Sequence, residues 1–483
     1  MPPAEYRNHL LGLVYKRDMQ NTTKKIIILG AGITGLSAAW RLASFGMPVI
    51  IFDKSKNCGG LAETINWDGW RFDYGPHNFI SSHQDIINFY QRHLPNDFVS
   101  RAPQVKLYIF NKLVSYPLVG ADVLLSLSGI KMVQAIIDFS VTRLKAFFRG
   151  ISYTEYLDEW IVKRFGSVLY RVYFKPYIQR LWQTDPHRLS YLVGESKIPA
   201  ISIRDFIVRE FINKKTYTVG NDDVTLRSYY VKHGIGELSA FFFSELKRMP
   251  NVQFRFNEEI ISVHVRDGCI ISIQTVDEEV SADNSVVIST IPLNLLIQKI
   301  NSLPEAIRLQ ANVLEYRSER FLFLRVRKKK VSGYDWVYFS EDKFPFTRVS
   351  ESRHDFFDMV PRDRSSLTFE FPCNESDWLA TCSDDELLDA VLPLYSEVFE
   401  LKRDDIIDFQ SRFQKYAYPR FVRCYQDSIK NIFLGLGSIN NLFSIGRQGM
   451  FCYVNTDSAT KMGFDVADLV LANRSPNEEY SDL

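Results

Sequence analysis

Near the N-terminus, the order of apolar and polar residues predicts one strand–helix–strand unit. Lys25 to Leu29 is a short β-branched run, Gly35 to Phe45 has helical periodicity, and Pro48 to Phe52 is a second apolar run. Two strands joined through a helix lie parallel in one sheet. The first 22 residues lack a strong period, so we expect the fold to begin after them.

Beyond this unit the pattern turns helical and then returns to strands. The stretch from Gln84 to about Lys232 is mainly helical, and short strand-like runs follow from Val252 onwards. Two of these runs are joined by Asp267-Gly268, a pair that favours a hairpin turn. The pattern therefore predicts an α/β fold with an inserted helical lobe and a second, mixed sheet.

The most apolar long stretch runs from Leu118 to Phe148. Charged residues such as Lys131 and Asp138 interrupt it, so it does not have the pattern of a membrane-spanning helix. We interpret it as one or two amphipathic helices over a core rather than as a membrane-docking surface. Peripheral membrane contact is therefore not predicted.

Composition narrows the class of protein. A chain of 483 residues predicts two or three domains, and a net charge of +1 builds no field that would attract nucleic acid. The six cysteines are scattered without metal-ligand spacing, so we expect reduced thiols and no metal. The N-terminal stretch has no apolar run typical of a signal peptide, and we expect a cytoplasmic protein. The sequence leaves the oligomeric state open.

A Gly-x-Gly-x-x-Gly pattern lies directly between the first strand and its helix. Gly30 suits a tight turn, Gly32 lets the backbone approach a pyrophosphate, and Gly35 allows close helix–strand packing. Asp53 ends the second strand, where a carboxylate can accept hydrogen bonds from both ribose hydroxyls. The pattern predicts a dinucleotide site formed by Gly30, Gly32, Ile33, Thr34, Gly35, Asp53 and Lys54.

The continuation from Lys54 to Phe79 favours FAD over NAD as the dinucleotide. Its Gly59-Gly60 pair resembles the GG motif of a large flavoprotein group that contains amine oxidases, protoporphyrinogen oxidases, phytoene desaturases and UDP-galactopyranose mutases. The resemblance covers most of the chain and implies that FAD is the cofactor. It implies further FAD contacts at Gly59, Gly60, Leu61, Ala62, Gly75 and His77.

Later segments carry the same resemblance in the expected order. Gly234 and Gly236 stand in a basic-Gly-Gly segment that opens a helix, and SIGRQGMFCYVNTDSATKMG resembles the group's C-terminal flavin segment. The second match implies that Gly446, Arg447 and Asp457 approach the flavin. The implied fold is a Rossmann-type FAD-binding domain with an inserted helical lobe and a substrate-facing mixed sheet. Its predicted segments are a leader at 1–22, FAD-binding stretches at 23–83, 229–300 and 426–475, a helical lobe at 84–228, the mixed sheet at 301–425 and a tail at 476–483.

Several motifs resemble the mutase branch of this group. The resemblance implies that Arg348 binds a substrate diphosphate through its guanidinium fork, together with the phenols of Tyr418 and Tyr453. Lys197 departs from the mutase pattern, because it stands where a second substrate arginine is expected and supplies charge without bidentate geometry. The branch therefore stays open at this point.

The leading hypothesis is an FAD-dependent oxidoreductase that transfers a hydride from a small-molecule substrate to flavin N5. One alternative is a redox-neutral mutase acting on a UDP-sugar, so that the substrate is a sugar nucleotide. Another is a flavin-binding sensor or partner without enzymatic activity. The catalytic candidates are His77, either as a general base or as a donor to a flavin carbonyl, and Arg348. No nucleophile–base pair or P-loop lysine motif competes with the flavin for the chemistry.

Overall fold

The computed structural model describes residues 24–81, 83–116, 129–197, 227–354, 358–474 and 476. Its strands, in chain order, are β1 (Lys25–Leu29), β2 (Val49–Asp53), β3 (Thr64–Trp67), β4 (Trp70–Asp73), β5 (Phe79–Ser81), β6 (Phe98–Ser100), β7 (Val105–Ile109), β8 (Lys112–Ser115), β9 (Arg227–Val231), β10 (Val252–Phe256), β11 (Ile260–Arg266), β12 (Cys269–Thr275), β13 (Glu279–Ser281), β14 (Ser285–Ser289), β15 (Glu315–Val326), β16 (Trp336–Phe339), β17 (Arg348–Arg353), β18 (Ser365–Cys373), β19 (Ile406–Arg420) and β20 (Leu442–Ser444).

The α-helices are α1 (Ile33–Ser44), α2 (Gln84–His93), α3 (Gly129–Arg149), α4 (Leu157–Phe165), α5 (Ser167–Leu169), α6 (Lys175–Trp182), α7 (Leu192–Lys197), α8 (Gly236–Lys247), α9 (Leu293–Lys299), α10 (Glu305–Ala311), α11 (Trp378–Thr381), α12 (Asp384–Ser396), α13 (Tyr425–Leu436), α14 (Gly446–Gly449) and α15 (Thr456–Leu471). A π-helical turn, Tyr170–Phe174, separates α5 from α6.

The chain divides into two units. Unit 1 contains Met1–Glu63, Leu238–Asn312 and Asp427–Leu483, and unit 2 contains Thr64–Glu237 and Val313–Gln426. The first change of unit therefore comes after Glu63, whereas the sequence-based division ends its first FAD-binding stretch at residue 83.

Unit 1 is built on a five-stranded parallel sheet in the order β10-β2-β1-β14-β20. The predicted strand–helix–strand unit is confirmed as β1, α1 and β2. The predicted hairpin is also confirmed, because Asp267 and Gly268 both have positive φ, at 53° and 73°, and join the antiparallel strands β11 and β12. In such sheets ligands bind beyond the carboxyl ends of the strands, which in unit 1 include the end of β1.

Helices α1 and α15 of unit 1 pack directly against each other. Only glycine fits at Gly463, because a Cβ there would lie 2.0 Å from the Ser37 hydroxyl oxygen. The same hydroxyl is within 3.1 Å of the Thr460 carbonyl oxygen, to which it donates. The contact fixes the N-terminal half of α15 beside the start of α1.

Unit 2 is built on a seven-stranded sheet in the order β19-β15-β18-β17-β16-β7-β8. One face forms an aromatic core that includes Phe339, Phe346, Phe369 and Tyr395, the last of them on α12. The prediction of a mainly helical stretch from Gln84 to about Lys232 is wrong for β6, β7, β8 and β9. These strands are short, and β7 pairs with β16, which is remote in sequence, so that no local period announces the pairing.

Helix α3 of unit 2 also differs from its prediction. Only Ala135 of its 21 residues is buried, and eight of its large apolar side chains are exposed rather than packed over a core. The remainder of the predicted stretch, from 118 to 128, lies outside the described residues. Across the described ranges, no helix has the length and apolar character needed to cross a membrane.

Candidate functional site

The first glycine-rich turn joins β1 to α1 in unit 1. Gly30 has φ +107°, and a Cβ there would lie 2.3 Å from the Thr290 hydroxyl oxygen. A Cβ on Gly35 would lie 2.1 Å from the Gly30 carbonyl oxygen. Gly32, by contrast, has nothing within 4 Å of its Cβ position. Two glycines are therefore needed for packing, and the middle one leaves open space above the backbone.

The N-terminus of α1 faces that space, and the described residues provide no side-chain cap for it. Gly32 is the N-cap with extended backbone, no side chain caps the helix, and the first turn carries no acidic residue. The first-turn N–H groups, which include those of Ile33, Thr34 and Gly35, have no partner within an α-helix. Together with the positive end of the helix dipole, they can bind an anion such as a pyrophosphate.

Asp53 is held at the end of β2 by backbone donors. Its Oδ2 accepts the Ala31 N–H at 2.7 Å, and its Oδ1 accepts the Ser55 N–H at 2.8 Å. A carboxylate has about four acceptor positions, so each oxygen keeps one for a ribose hydroxyl. Lys54, the next predicted contact, has an exposed side chain.

The GG segment lies directly against the first glycine turn. The Gly59 N–H donates to the Ala31 carbonyl at 2.8 Å, and Gly59 forms an isolated parallel bridge with Gly32. Positive φ angles of +106° at Gly59 and +58° at Gly60 make this approach possible. A 3-10 turn, Gly60–Ala62, follows, in which Ala62 is buried and Leu61 half-buried.

The C-terminal segment meets the same turn from α14 and α15. A Cβ on Gly446 would lie 3.0 Å from the Thr34 hydroxyl oxygen, so Gly446 is next to the start of α1. Asp457 is buried in the first turn of α15, and its Oδ1 has no hydrogen-bond partner among the described residues. A buried acceptor of this kind is costly unless a ligand supplies the donor.

Arg447 and Tyr453 contact each other within unit 1. The Arg447 Nε donates to the Val454 carbonyl at 2.9 Å, and the guanidinium lies 5.3 Å from the centre of the Tyr453 ring. Direct contacts of Arg447 with a flavin, and of Tyr453 with a substrate, stay predictions.

In unit 2, the segment Gly234–Gly236 packs on the hairpin of β3 and β4. The Gly236 N–H donates to the Thr64 hydroxyl at 2.7 Å, and the Ile235 N–H donates to Asp73 at 3.1 Å. Burial raises the pKa of the Asp73 carboxyl, against the lowering effect of its hydrogen bonds from Thr64 and Tyr230. As predicted, Gly236 begins a helix, α8.

Gly75 and His77 belong to unit 2 and lie between β4 and β5. Gly75 has φ +82°, and a Cβ there would lie 2.5 Å from Oε1 of Glu370. A side chain at Gly75 would therefore collide with the Glu370 carboxylate, which explains the glycine at this position. His77 is half-buried. Flavin contacts of both residues stay predictions.

A line of polar side chains, here called the polar row, crosses one face of the unit 2 sheet. Strand register places Arg317 opposite Tyr418 and Arg348 opposite both Glu370 and Tyr338. Alternation along β15 puts Glu319 on the same face. The polar row comprises Tyr418, Arg317, Glu319, Glu370, Arg348 and Tyr338.

Two ion pairs, one buried and one partly buried, hold the polar row together. The Arg348 Nε and Nη2 bind the two Glu370 oxygens at 2.6 and 2.5 Å, and Arg317 binds Glu319. Burial alone would lower the pKa of Arg348, but Glu370 raises it well above its usual value. The edge of the Arg348 guanidinium that could bind two phosphate oxygens is therefore occupied by the Glu370 carboxylate. The predicted role of Arg348 in binding a substrate diphosphate did not anticipate this partner.

Sequence reasoning missed four members of the polar row, namely Arg317, Glu319, Glu370 and Tyr338. Glu370 is a charged residue between two phenylalanines of β18, and that interruption is the signal that could have found it, whereas Arg317 and Glu319 lie in the polar first half of β15 and give no such signal. Lys197 ends α7, and its side chain lies outside the described part of the structure, so its predicted substrate contact stays a prediction.

The Glu319 carboxyl should lower the stability of the protein as pH rises. Burial raises the pKa of its carboxyl from 4.5 to about 7, although Arg317 opposes the shift. The folded state then holds a proton that the unfolded state releases, so this contribution to stability is complete below pH 4.5 and lost as pH rises to about 7. Relative to the wild type, we expect Glu319→Gln to gain unfolding free energy across this window, measured by urea denaturation at several pH values.

The Glu386 carboxyl should make stability depend on pH in the opposite direction. Hydrogen bonds from Ser383 lower the pKa of its carboxyl, so its contribution is present above the usual Glu pKa and lost as pH falls. Relative to the wild type, Glu386→Gln should therefore lose stability as pH rises from strongly acidic values. If the unfolding free energies of the two variants, relative to the wild type, changed with pH in the same direction, the assignment of the raised pKa to Glu319 would be contradicted.

The parallel sheet and the glycine-lined turn of unit 1 define a dinucleotide-binding domain. In agreement, the family model described as "NAD(P)-binding Rossmann-like domain" matches residues 28–93. Over 52 residues the chain is 52% identical to the 4,4'-diapophytoene desaturase (4,4'-diaponeurosporene-forming) of Staphylococcus aureus. That match covers 11% of this chain and 10% of the desaturase, so it spans only a small part of either protein.

Solved structures resemble the chain over nearly its full length. Reduced UDP-galactopyranose mutase gives a TM-score of 0.77 at 20% identity and covers 93% of this chain and 96% of its own. A protein from Exiguobacterium sp. 255-15, assigned as a protoporphyrinogen oxidase, gives 0.71 at 14% identity, with coverages of 93% and 99%. At these identities the likeness shows the fold, and at that level the resemblance expected from the motifs is confirmed.

Proposed function

We propose that this chain is an FAD-dependent oxidoreductase acting on a small-molecule substrate. The observation that carries the proposal is the meeting of three separated glycine segments, Gly30–Gly35, Gly59–Gly60 and Gly446, around the N-terminus of α1. One glycine turn suffices for a dinucleotide. The two added segments are what the flavoprotein resemblance implies, and they favour FAD over NAD(P).

The residues of unit 1 suit FAD chemically. The open space over Gly32 and the uncapped start of α1 would accept the pyrophosphate, and Asp53 would accept hydrogen bonds from the adenosine ribose. The unpartnered Oδ1 of Asp457 would accept a hydrogen bond from a ribityl hydroxyl. When bound, FAD supplies a two-electron acceptor for a substrate hydride, with oxygen or another oxidant receiving both electrons afterwards.

For the substrate we propose contacts from the polar row, with Arg348 and Tyr418 as the members inferred from sequence. The Arg348–Glu370 pair would orient groups by hydrogen bonding rather than clamp a diphosphate, because Glu370 takes both prongs of the guanidinium. His77 is proposed as a donor or base beside the flavin, and Lys197 and Tyr453 as further substrate contacts. The oxidoreductase is preferred to the sugar-nucleotide mutase on the ground of the occupied Arg348 fork.

Asp457 offers the sharpest test of the cofactor. Asp457→Ala removes a buried acceptor without a described partner, so the unfolding free energy of the apoprotein should change by at most about 1 kcal/mol. FAD affinity should fall at least about tenfold, because a hydrogen bond to a charged group contributes roughly 1.5–3 kcal/mol. Flavin-fluorescence titration of the apoprotein measures the FAD affinity of the wild type and of the variant.

The matched control is Asp465→Ala in the same helix. Asp465 is exposed and pairs with Lys461 at 2.6 Å, so its removal should leave FAD affinity unchanged. Failure of the wild-type apoprotein to bind FAD would refute the cofactor proposal. Equal affinity in Asp457→Ala and wild type would refute the role of Asp457 alone.

The reaction is tested separately on the FAD-loaded protein. Under anaerobic conditions, an oxidoreductase substrate should bleach the flavin absorbance, and admitted oxygen or a dye acceptor should restore it. The panel should include amines and porphyrinogens. Incubation of the dithionite-reduced protein with UDP-galactopyranose is the mutase arm, and ring contraction without net oxidation there would overturn the oxidoreductase proposal.

A further inference from the structure

Helix α3 presents one continuous apolar side to the surroundings. With 3.6 residues per turn, its exposed large apolar residues fall within roughly half of the helix circumference, where Ser140 is the one polar interruption. Phe147 is 82% exposed and Leu144 59% exposed. This apolar face comprises Ile130, Val133, Ile136, Ile137, Val141, Leu144, Phe147 and Phe148.

The opposite side of α3 is anchored within unit 2, so the outward direction of the apolar face is fixed. Ala135 is fully buried there. Asp138 accepts the Val168 N–H at 2.7 Å and lies 3.3 Å from the Ser167 hydroxyl, which ties α3 to the start of α5. A Cβ on Gly166 would lie 2.5 Å from the same carboxylate, and the glycine there permits the contact. These contacts fix the rotation of α3 about its own axis, with the apolar face pointing outward.

Basic residues border the apolar face. Lys145 lies beside one edge and the half-buried Arg143 beside the other, and the exposed Lys131 and Arg149 lie farther round the helix beyond Lys145. The single acidic residue of the helix, Asp138, lies between these lysines around the helix, and its carboxylate binds Val168 and Ser167 at the anchoring contact. An outward apolar stripe with basic borders is the pattern of a helix that lies in a membrane interface, with apolar groups in the acyl region and cations at anionic headgroups.

We propose that α3 docks the protein onto an anionic lipid surface, lying parallel to it rather than crossing it. A second copy of the chain fits the face less well, because two such helices packed face to face would bring their basic borders together without acidic partners. The proposal is independent of the flavin and of the reaction.

Vesicle flotation of the full-length protein tests the proposal. The wild type should float with vesicles of equal phosphatidylglycerol and phosphatidylcholine, and at least tenfold less with pure phosphatidylcholine. Leu144→Glu should reduce binding to the anionic vesicles at least tenfold. Leu434→Glu is the matched control, because Leu434 is a helical leucine of 60% exposure in unit 1, and its change should leave binding unaltered.

Folding and self-association are followed in parallel. Far-ultraviolet circular dichroism and the thermal midpoint of Leu144→Glu should match those of the wild type, since the residue is exposed. If that variant misfolds, Lys145→Glu with Arg149→Glu tests the exposed basic residues of α3 instead, with the same expected loss. A wild type that ignores anionic vesicles, or that forms a dimer broken by Leu144→Glu and does not float, would overturn the proposal.

Discussion

Gly35→Ala should destabilise unit 1 by about 3 kcal/mol, the upper part of the usual range for overpacking a closely packed site. The new Cβ would lie 2.1 Å from the Gly30 carbonyl oxygen and 3.1 Å from a methyl group of Ile28. The oxygen belongs to the backbone of the turn and cannot rotate away. In an open helix, the same change would be favourable by nearly 1 kcal/mol, so the expected sign is set by packing. Urea denaturation measures it.

Gly32→Ala separates binding from stability in the same motif. Its backbone has φ −72° and its Cβ would meet nothing within 4 Å, so the apoprotein should keep its stability while FAD affinity falls at least about tenfold. Gly129→Ala, at another open position with ordinary φ, should change neither quantity. Equal stability losses in Gly32→Ala and Gly35→Ala would contradict the different roles assigned to the two glycines.

The dinucleotide unit could be predicted from the sequence because its determinants are local. The spacing of Gly30, Gly32 and Gly35 encodes the turn, and the acid at Asp53 follows at the end of the next apolar run. The contact between Gly59 and Gly32 could not be derived from spacing, and the resemblance implies only that both residues approach the FAD. Local patterns specify elements, whereas meetings between distant segments depend on tertiary packing.

The substrate-side features illustrate that limit. Arg348 was singled out from its motif, but its partner Glu370 stands on the next strand of the sheet and is revealed only by register. Helix α3 shows the same limit in another form. Its amphipathic pattern identifies an apolar face, yet periodicity does not say whether that face meets a protein core or the surroundings. The partner of each surface is a property of the fold.

Arg348→Ala should be strongly destabilising, by about 3–5 kcal/mol, because it leaves the Glu370 carboxylate buried without its cation. Glu319 lies near enough to interact electrostatically with both members of the pair, so loss of Arg348 also leaves two buried acids facing each other. The measurement is the free energy of unfolding in urea, followed by circular dichroism. Arg348→Lys should recover part of the loss, since it restores charge without the bidentate geometry.

Removing both charges distinguishes the cost of an orphaned carboxylate from the value of the pair itself. Arg348→Met combined with Glu370→Leu should restore most of the stability lost in Arg348→Ala, because apolar side chains of similar volume often replace a buried ion pair at little cost. Gly75 leaves space beside Glu370, so the leucine can be accommodated without moving the backbone at that contact. If the double variant were as unstable as Arg348→Ala, the pair itself would be a major stabilising interaction of the sheet. If Arg348→Ala cost less than about 1 kcal/mol, the carboxylate would be reached by water, and the buried polar row would be wrong as a description of this face.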